Sequence, residues 1–101
     1  MTVPLSYALG LSAALFGVGL FGLLTRQNAL VLVIAVELML NAANINFVAA
    51  SYHWGGADGQ LFAIAVIALA AAEVAVGVGI LLQVHRTFGT VDVTVPRALR
   101  W

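Results

Sequence analysis

The sequence predicts an all-α membrane protein with three transmembrane helices, and three observations carry that prediction. Of the 101 residues, 63% are hydrophobic and only 8% are charged, and the mean hydropathy is +1.11, far from the balance of soluble domains. So few polar side chains could not give a soluble core a wettable surface, so the solvent must be lipid or other protein. The apolar residues also fall into three runs, 4–24, 29–50 and 61–84. Each is about the 20 residues that a helix rising about 1.5 Å per residue needs to cross about 30 Å of hydrocarbon. The length allows one small domain, residues 1–101.

The first run begins at Pro4, which suits a first helical turn because its missing N–H costs nothing there. The preceding MTVPLSYALG has no positive segment and leads into too long an apolar stretch for a secretory signal, so a retained span is expected. Within the run, GVGLFG, Gly17 to Gly22, matches the G-x-G-x-x-G pattern of dinucleotide sites. No strand precedes it and no βαβ unit surrounds it, so the pattern carries no such function. Gly10, Ala14 and Gly17 are expected instead to form one face along which a neighbouring helix approaches.

The link TRQN, Thr25 to Asn28, is long enough only for a hairpin between antiparallel neighbours. After the second run comes the link SYHWGGADGQ, residues 51–60, in which Asp58 is placed to cap the third helix. The third run, with AIAVIALAAAEVAVGVG, is small almost all the way round and is expected to have close neighbours on several sides. The tail from His85, residues 85–101, is polar enough to lie in water or against a partner.

All four basic residues, Arg26, Arg86, Arg97 and Arg100, fall in the first link and the tail, and the second link has none. Since cytoplasmic loops accumulate positive charge, the N-terminus is expected outside and the C-terminus in the cytoplasm, with Tyr52 and Trp54 in an outer interfacial belt. The formal net charge of zero leaves no basic footprint for nucleic acid. The lack of cysteine removes disulfides, iron–sulfur ligation and thiol chemistry. His53 and His85 have no companions at metal-ligand spacing and suit interfacial hydrogen bonding.

Glu37 and Glu73 stand apart from all this. Glu37 is 11 residues from Arg26, about 16 Å along a helix, and Glu73 is 13 residues from Arg86, about 20 Å. Both acids therefore lie near mid-bilayer, where an acidic side chain costs about 2.5 to 3.5 kcal/mol on insertion scales. At about 100° per residue, Asn41 and Asn44 flank Glu37 on one stripe of the helix, whereas Asn46 points away. With the second and third helices about 8 to 10 Å apart, the two carboxyls can face each other across a few waters. At about 8 Å and an effective dielectric near 20, two negative charges repel by about 2 kcal/mol, so each acid is expected to feel the other's charge. That is proton-relay chemistry, with amides to hold water; the plain alternative is two protonated acids that hydrogen-bond adjacent helices together.

The segments TRQNALVLVIAVELMLNAANINFV, DGQ and AAAEVAVGVGILL, at these spacings, resemble the subunit K family of respiratory complex I, NADH:quinone oxidoreductase, whose mitochondrial form is called chain 4L. The resemblance covers nearly the whole chain and is most specific at ELMLNAAN and AAAE. It implies a cofactor-free subunit of a proton-pumping translocase that uses FMN, iron–sulfur clusters, NADH and quinone elsewhere. It also implies neighbours J, N and A and a bacterial inner membrane or a thylakoid-type or organellar energy-coupling membrane. Glu37 and Glu73 match the family's membrane glutamates, with Arg26, Asn41 and Asn44 in support. Many bacterial relatives carry two adjacent arginines in the first inner loop. This chain has Arg26 followed by Gln27, so only Arg26 can inherit a role for that charge.

Two other functions fit the composition. One is the small subunit of a multisubunit sodium/proton antiporter, which copurification with flavin and iron–sulfur subunits would rule out. The other is a structural membrane adaptor, favoured if both acids can be neutralised without consequence. A rotor-ring subunit fits less well, because those are typically two-helix hairpins with one carboxylate.

Overall fold

The structure, a computed structural model, describes residues 3–92 and 94. Arg97 and Arg100, counted above toward topology, lie outside the described residues. Three helices follow in order: α1 (Leu5–Thr25), α2 (Ala29–Trp54) and α3 (Asp58–Phe88). All three are long and apolar enough to cross a membrane.

Pro4 stands one place before the first turn, its carbonyl accepting from the N–H groups of Tyr7 and Ala8 at 3.1 and 3.4 Å. At the other end Thr25 donates its hydroxyl to the Phe21 carbonyl at 2.7 Å. Arg26 then turns extended, its N–H still bonded to the Gly22 carbonyl at 3.1 Å. Asn28 caps α2: its Oδ1 accepts from the N–H groups of Leu30 at 2.9 Å and Val31 at 3.4 Å. The Ala29 N–H is taken by the Val91 carbonyl at 2.8 Å. Three N–H groups that an isolated helix would leave free are thus satisfied. Val91 reaches this point because Gly89 adopts a left-handed conformation, φ 73° and ψ 10°, that ends α3 and turns the chain back toward the hairpin.

The helices outrun the expected apolar spans, because backbone hydrogen bonding does not stop where hydrocarbon would. α2 continues to Trp54 and α3 starts at Asp58, so the link between them shrinks to residues 55–57. Gly55 and Gly56, at φ 86° and 89°, make that sharp turn in a region costly for any residue with a Cβ. Ser51 holds it by donating to the Gly56 carbonyl at 2.8 Å. The expected cap at Asp58 is not made. Ala57 occupies the cap position without a side-chain bond, and Asp58 is the first helical residue. There its negative charge interacts favourably with the positive end of the helix dipole.

α2 is the middle of the molecule, with α1 and α3 packed on it and hardly on each other. The sequence explains why. Ala35, Met39 and Ala42 share one face of α2; there Ala35 and Met39 meet Gly19 of α1, and the Ala42 carbonyl meets Ser12. Val33, Glu37, Asn44, Phe47 and Ser51 share the face about 180° round, at 100° per residue, and Gly77, Phe62 and Gly59 of α3 meet it. Both contacts are made by small residues: Ala29, Ala35, Ala42, Ala63, Ala70, Gly19, Ser12 and Ser51 are the buried ones beside Asn44 among the described residues. Small side chains let backbones approach closely where lipid offers no hydrophobic drive. The Gly10, Ala14 and Gly17 face expected to pack is not the one used within the chain. A Cβ built on Gly10 or Gly17 would meet nothing within 4 Å, whereas on Gly19 it would lie 2.9 Å from the Ala35 carbonyl oxygen. Glycine spacing alone does not say which of several small faces a neighbour takes.

Candidate functional site

The α2–α3 contact brings the two membrane acids together. Glu37 lies on the α2 row that faces α3, and Glu73 is midway along α3, 15 residues from either end. Together with Leu32, Val33, Val36 and Val74 they line one cleft of about 230 Å³. Glu37 is half-buried and Glu73 exposed. Every other wall is aliphatic and no cation lines the cleft, so the carboxyls have each other and whatever small polar molecule enters as polar company. Such a cleft can hold protons on two acids separated by water. It offers no nucleophile with an adjacent base, and no group of three or more His, Cys, Asp or Glu that could bind a metal exists among the described residues.

The asparagines are not in that cleft. Asn41 and Asn44 line a second and larger groove of about 1080 Å³, floored by α2 and walled by the first turns of α1 and of α3. Leu32 and Val36, at the lip of the acidic cleft, lie about 140 to 180° round α2 from Asn41. The two openings therefore face opposite sides of the helix row. Asn41 is exposed on the groove floor, and Asn44 is buried, 8% exposed, where α2 meets α3. Arg26 is exposed at the α1–α2 hairpin and lines neither cavity.

Three polar positions escaped the sequence reading. Ser12 donates to the Ala42 carbonyl at 2.7 Å across the α1–α2 contact. A lone hydroxyl amid Gly, Leu and Ala was the available signal. Asn28 caps α2, as its position just before the second apolar run allowed. Gln60 lines the large groove, but nothing in its local sequence marks it. In the tail, Asp92 accepts from the hydroxyl and the N–H of Thr94 at 2.6 and 2.8 Å. These bonds hold its carboxyl below the ordinary 3.8, the side-chain bond contributing most.

The family model described as NADH-ubiquinone/plastoquinone oxidoreductase chain 4L matches residues 7–101. The chain is 46% identical over 98 residues to the NADH-quinone oxidoreductase subunit K of Ectopseudomonas mendocina (strain ymp), with 97% of this chain and 96% of that one covered. It is 47% identical over 97 residues to the subunit of the same name from Anaeromyxobacter sp. (strain K), covering 96% and 98%. With that from Chlorobaculum tepidum it shares 46% over 94 residues, covering 93% and 88%.

Proposed function

The chain belongs to the NADH-ubiquinone/plastoquinone oxidoreductase chain 4L family, and from that membership we propose that Glu37 and Glu73 form a proton or charge relay coupling quinone reduction to proton pumping. The observation that carries the reading is the shared cleft: two acids on different helices, at one level, with aliphatic walls. Structural glue would not need both acids to open on one cleft, whereas a relay needs each to sense the other's charge. Asn41 and Asn44 act, in this reading, on the groove side of α2, and Arg26 serves the hairpin. FMN, iron–sulfur clusters, NADH and quinone are handled by other subunits. Neighbours J, N and A surround the chain in a bacterial inner membrane, with the N-terminus outside.

Glutamine has nearly the shape of protonated glutamic acid and keeps its hydrogen bonding, but it releases no proton in the relevant pH range. The test is Glu37→Gln, with assembly followed on native gels beside NADH-driven proton uptake in the same vesicles. The relay predicts normal assembly with quinone reduction and pumping falling together. Full pumping in the assembled variant would end the relay role of Glu37. Unchanged pumping after both acids are neutralised would favour a structural adaptor, and purification without flavin or iron–sulfur subunits would favour the antiporter reading.

A further inference from the structure

Asn44 is the most conspicuous polar group outside the acidic cleft. It is 8% exposed, it lines the groove of about 1080 Å³, and its Oδ1 has no hydrogen-bond partner among the described residues. A buried carbonyl oxygen left without a donor is costly in any medium, and in a membrane there is little water to supply one. The groove around it runs from Asn41 to His53 on α2, 12 residues or about 18 Å, with Ala8, Ala49 and Ala63 among its walls.

We propose that this groove seats a transmembrane helix of another subunit, and that this helix presents an O–H or N–H donor to Asn44 Oδ1. Three features select that occupant. A length of about 18 Å is a little over three helical turns, and a helix with small side chains, about 10 Å across, encloses a volume comparable to the groove's. Ala8, Ala49 and Ala63 permit the close backbone approach on which helix association in lipid depends. A lipid tail would fill the apolar length but brings no donor to Oδ1. The inference rests on the chain being one subunit of a membrane complex, and it does not require the glutamate relay.

The experiment places a photo-crosslinking amino acid at Val48, a groove residue 42% exposed, in the purified intact complex. The same probe at Val76, outside the groove, serves as control. Mass spectrometry of the adduct should identify one helix of a second polypeptide of the complex, captured from position 48 and not from 76. Adducts with lipid alone, with a second copy of this chain, or with nothing would overturn the proposal. Asn44→Asp keeps the acceptor and Asn44→Leu removes it at similar size. Asn44→Leu should lower the adduct yield by about threefold, the effect of one average interhelical hydrogen bond in a membrane, while Asn44→Asp stays near the parent level. Equal yields in all three would refute the hydrogen bond. Because the readout is contact and not pumping, a failed relay and a failed docking site give different results.

Discussion

The hydroxyl of Ser12 reaches across from α1 to the carbonyl of Ala42, 2.7 Å away, at the one α2 residue that has no exposed surface at all. This bond fixes the register of α1 on α2 between the levels of Asn41 and Asn44. Ser12→Ala should weaken the contact by about 0.6 kcal/mol, the average for such bonds in membranes. Ser12→Leu should do far more, because a large side chain must enter a site closed to solvent. Retention of the chain in the assembled complex through a detergent series measures both.

Gly19 marks the closest approach of the same two helices. A Cβ there would lie 2.7 Å from Met39 Cγ, which can swing aside, and 2.9 Å from the Ala35 carbonyl oxygen, which is backbone and cannot. Gly19→Val should therefore push α1 away at a cost of about 1 to 3 kcal/mol. The amount of chain in membranes should fall accordingly. Gly17→Val meets no such obstacle among the described residues, so a comparable loss there would reveal another subunit against that face.

Glu73→Gln should assemble and impair pumping, but less than Glu37→Gln, because Glu37 is the half-buried acid on the α2 face that meets α3 and Glu73 the more exposed one. Glu37→Asp should be milder than Glu37→Gln, since an ionisable group stays on the same face of α2. Proton uptake by the three variants at equal amounts of assembled complex ranks them.

The orientation is testable at Ala57, in the short turn between α2 and α3. With the N-terminus outside, a cysteine replacing Ala57 should react with an impermeant thiol reagent added to intact cells. Labelling only in inverted vesicles would reverse the topology.

Asp92 provides a pH prediction. Its folded carboxyl is held below the ordinary 3.8 by the two bonds from Thr94. The turn's contribution is therefore complete above that value and is lost as pH falls through the lower folded one. Between about pH 5 and 8 the carboxylate does not change state. The pH profile of proton uptake in that window should keep its shape in Asp92→Asn, and a shifted profile would contradict the assignment.

The three helices and the pair of membrane acids could be read from the chain because hydropathy, length and the rarity of buried charge are properties of single segments. The placement of α3 was not, and the polar stripe shows the consequence. Glu37, Asn41 and Asn44 lie within about 60° of one another round α2, yet the packing of α3 leaves Glu37 on the acidic cleft and puts both asparagines on the groove, Asn44 buried and Asn41 exposed. Periodicity identifies a face but not where along it a neighbour divides that face. Gly19 against Gly17 shows the same limit, since two glycines in one motif differ only in what the next helix puts opposite them.

A row of three helices with α2 in the centre has no inside. Its buried residues, among those described, are alanines, serines, one glycine and one asparagine, and no large side chain among them is fully enclosed. The familiar map of mutational tolerance should therefore be inverted for this protein. Outward residues such as Leu9, Val18, Ile34, Ile64 and Leu69 will behave as an interior once the surrounding subunits are in place, and their truncation will be felt as loosened assembly. A melting temperature assigned to the chain by itself would describe only a fragment of the unit that folds.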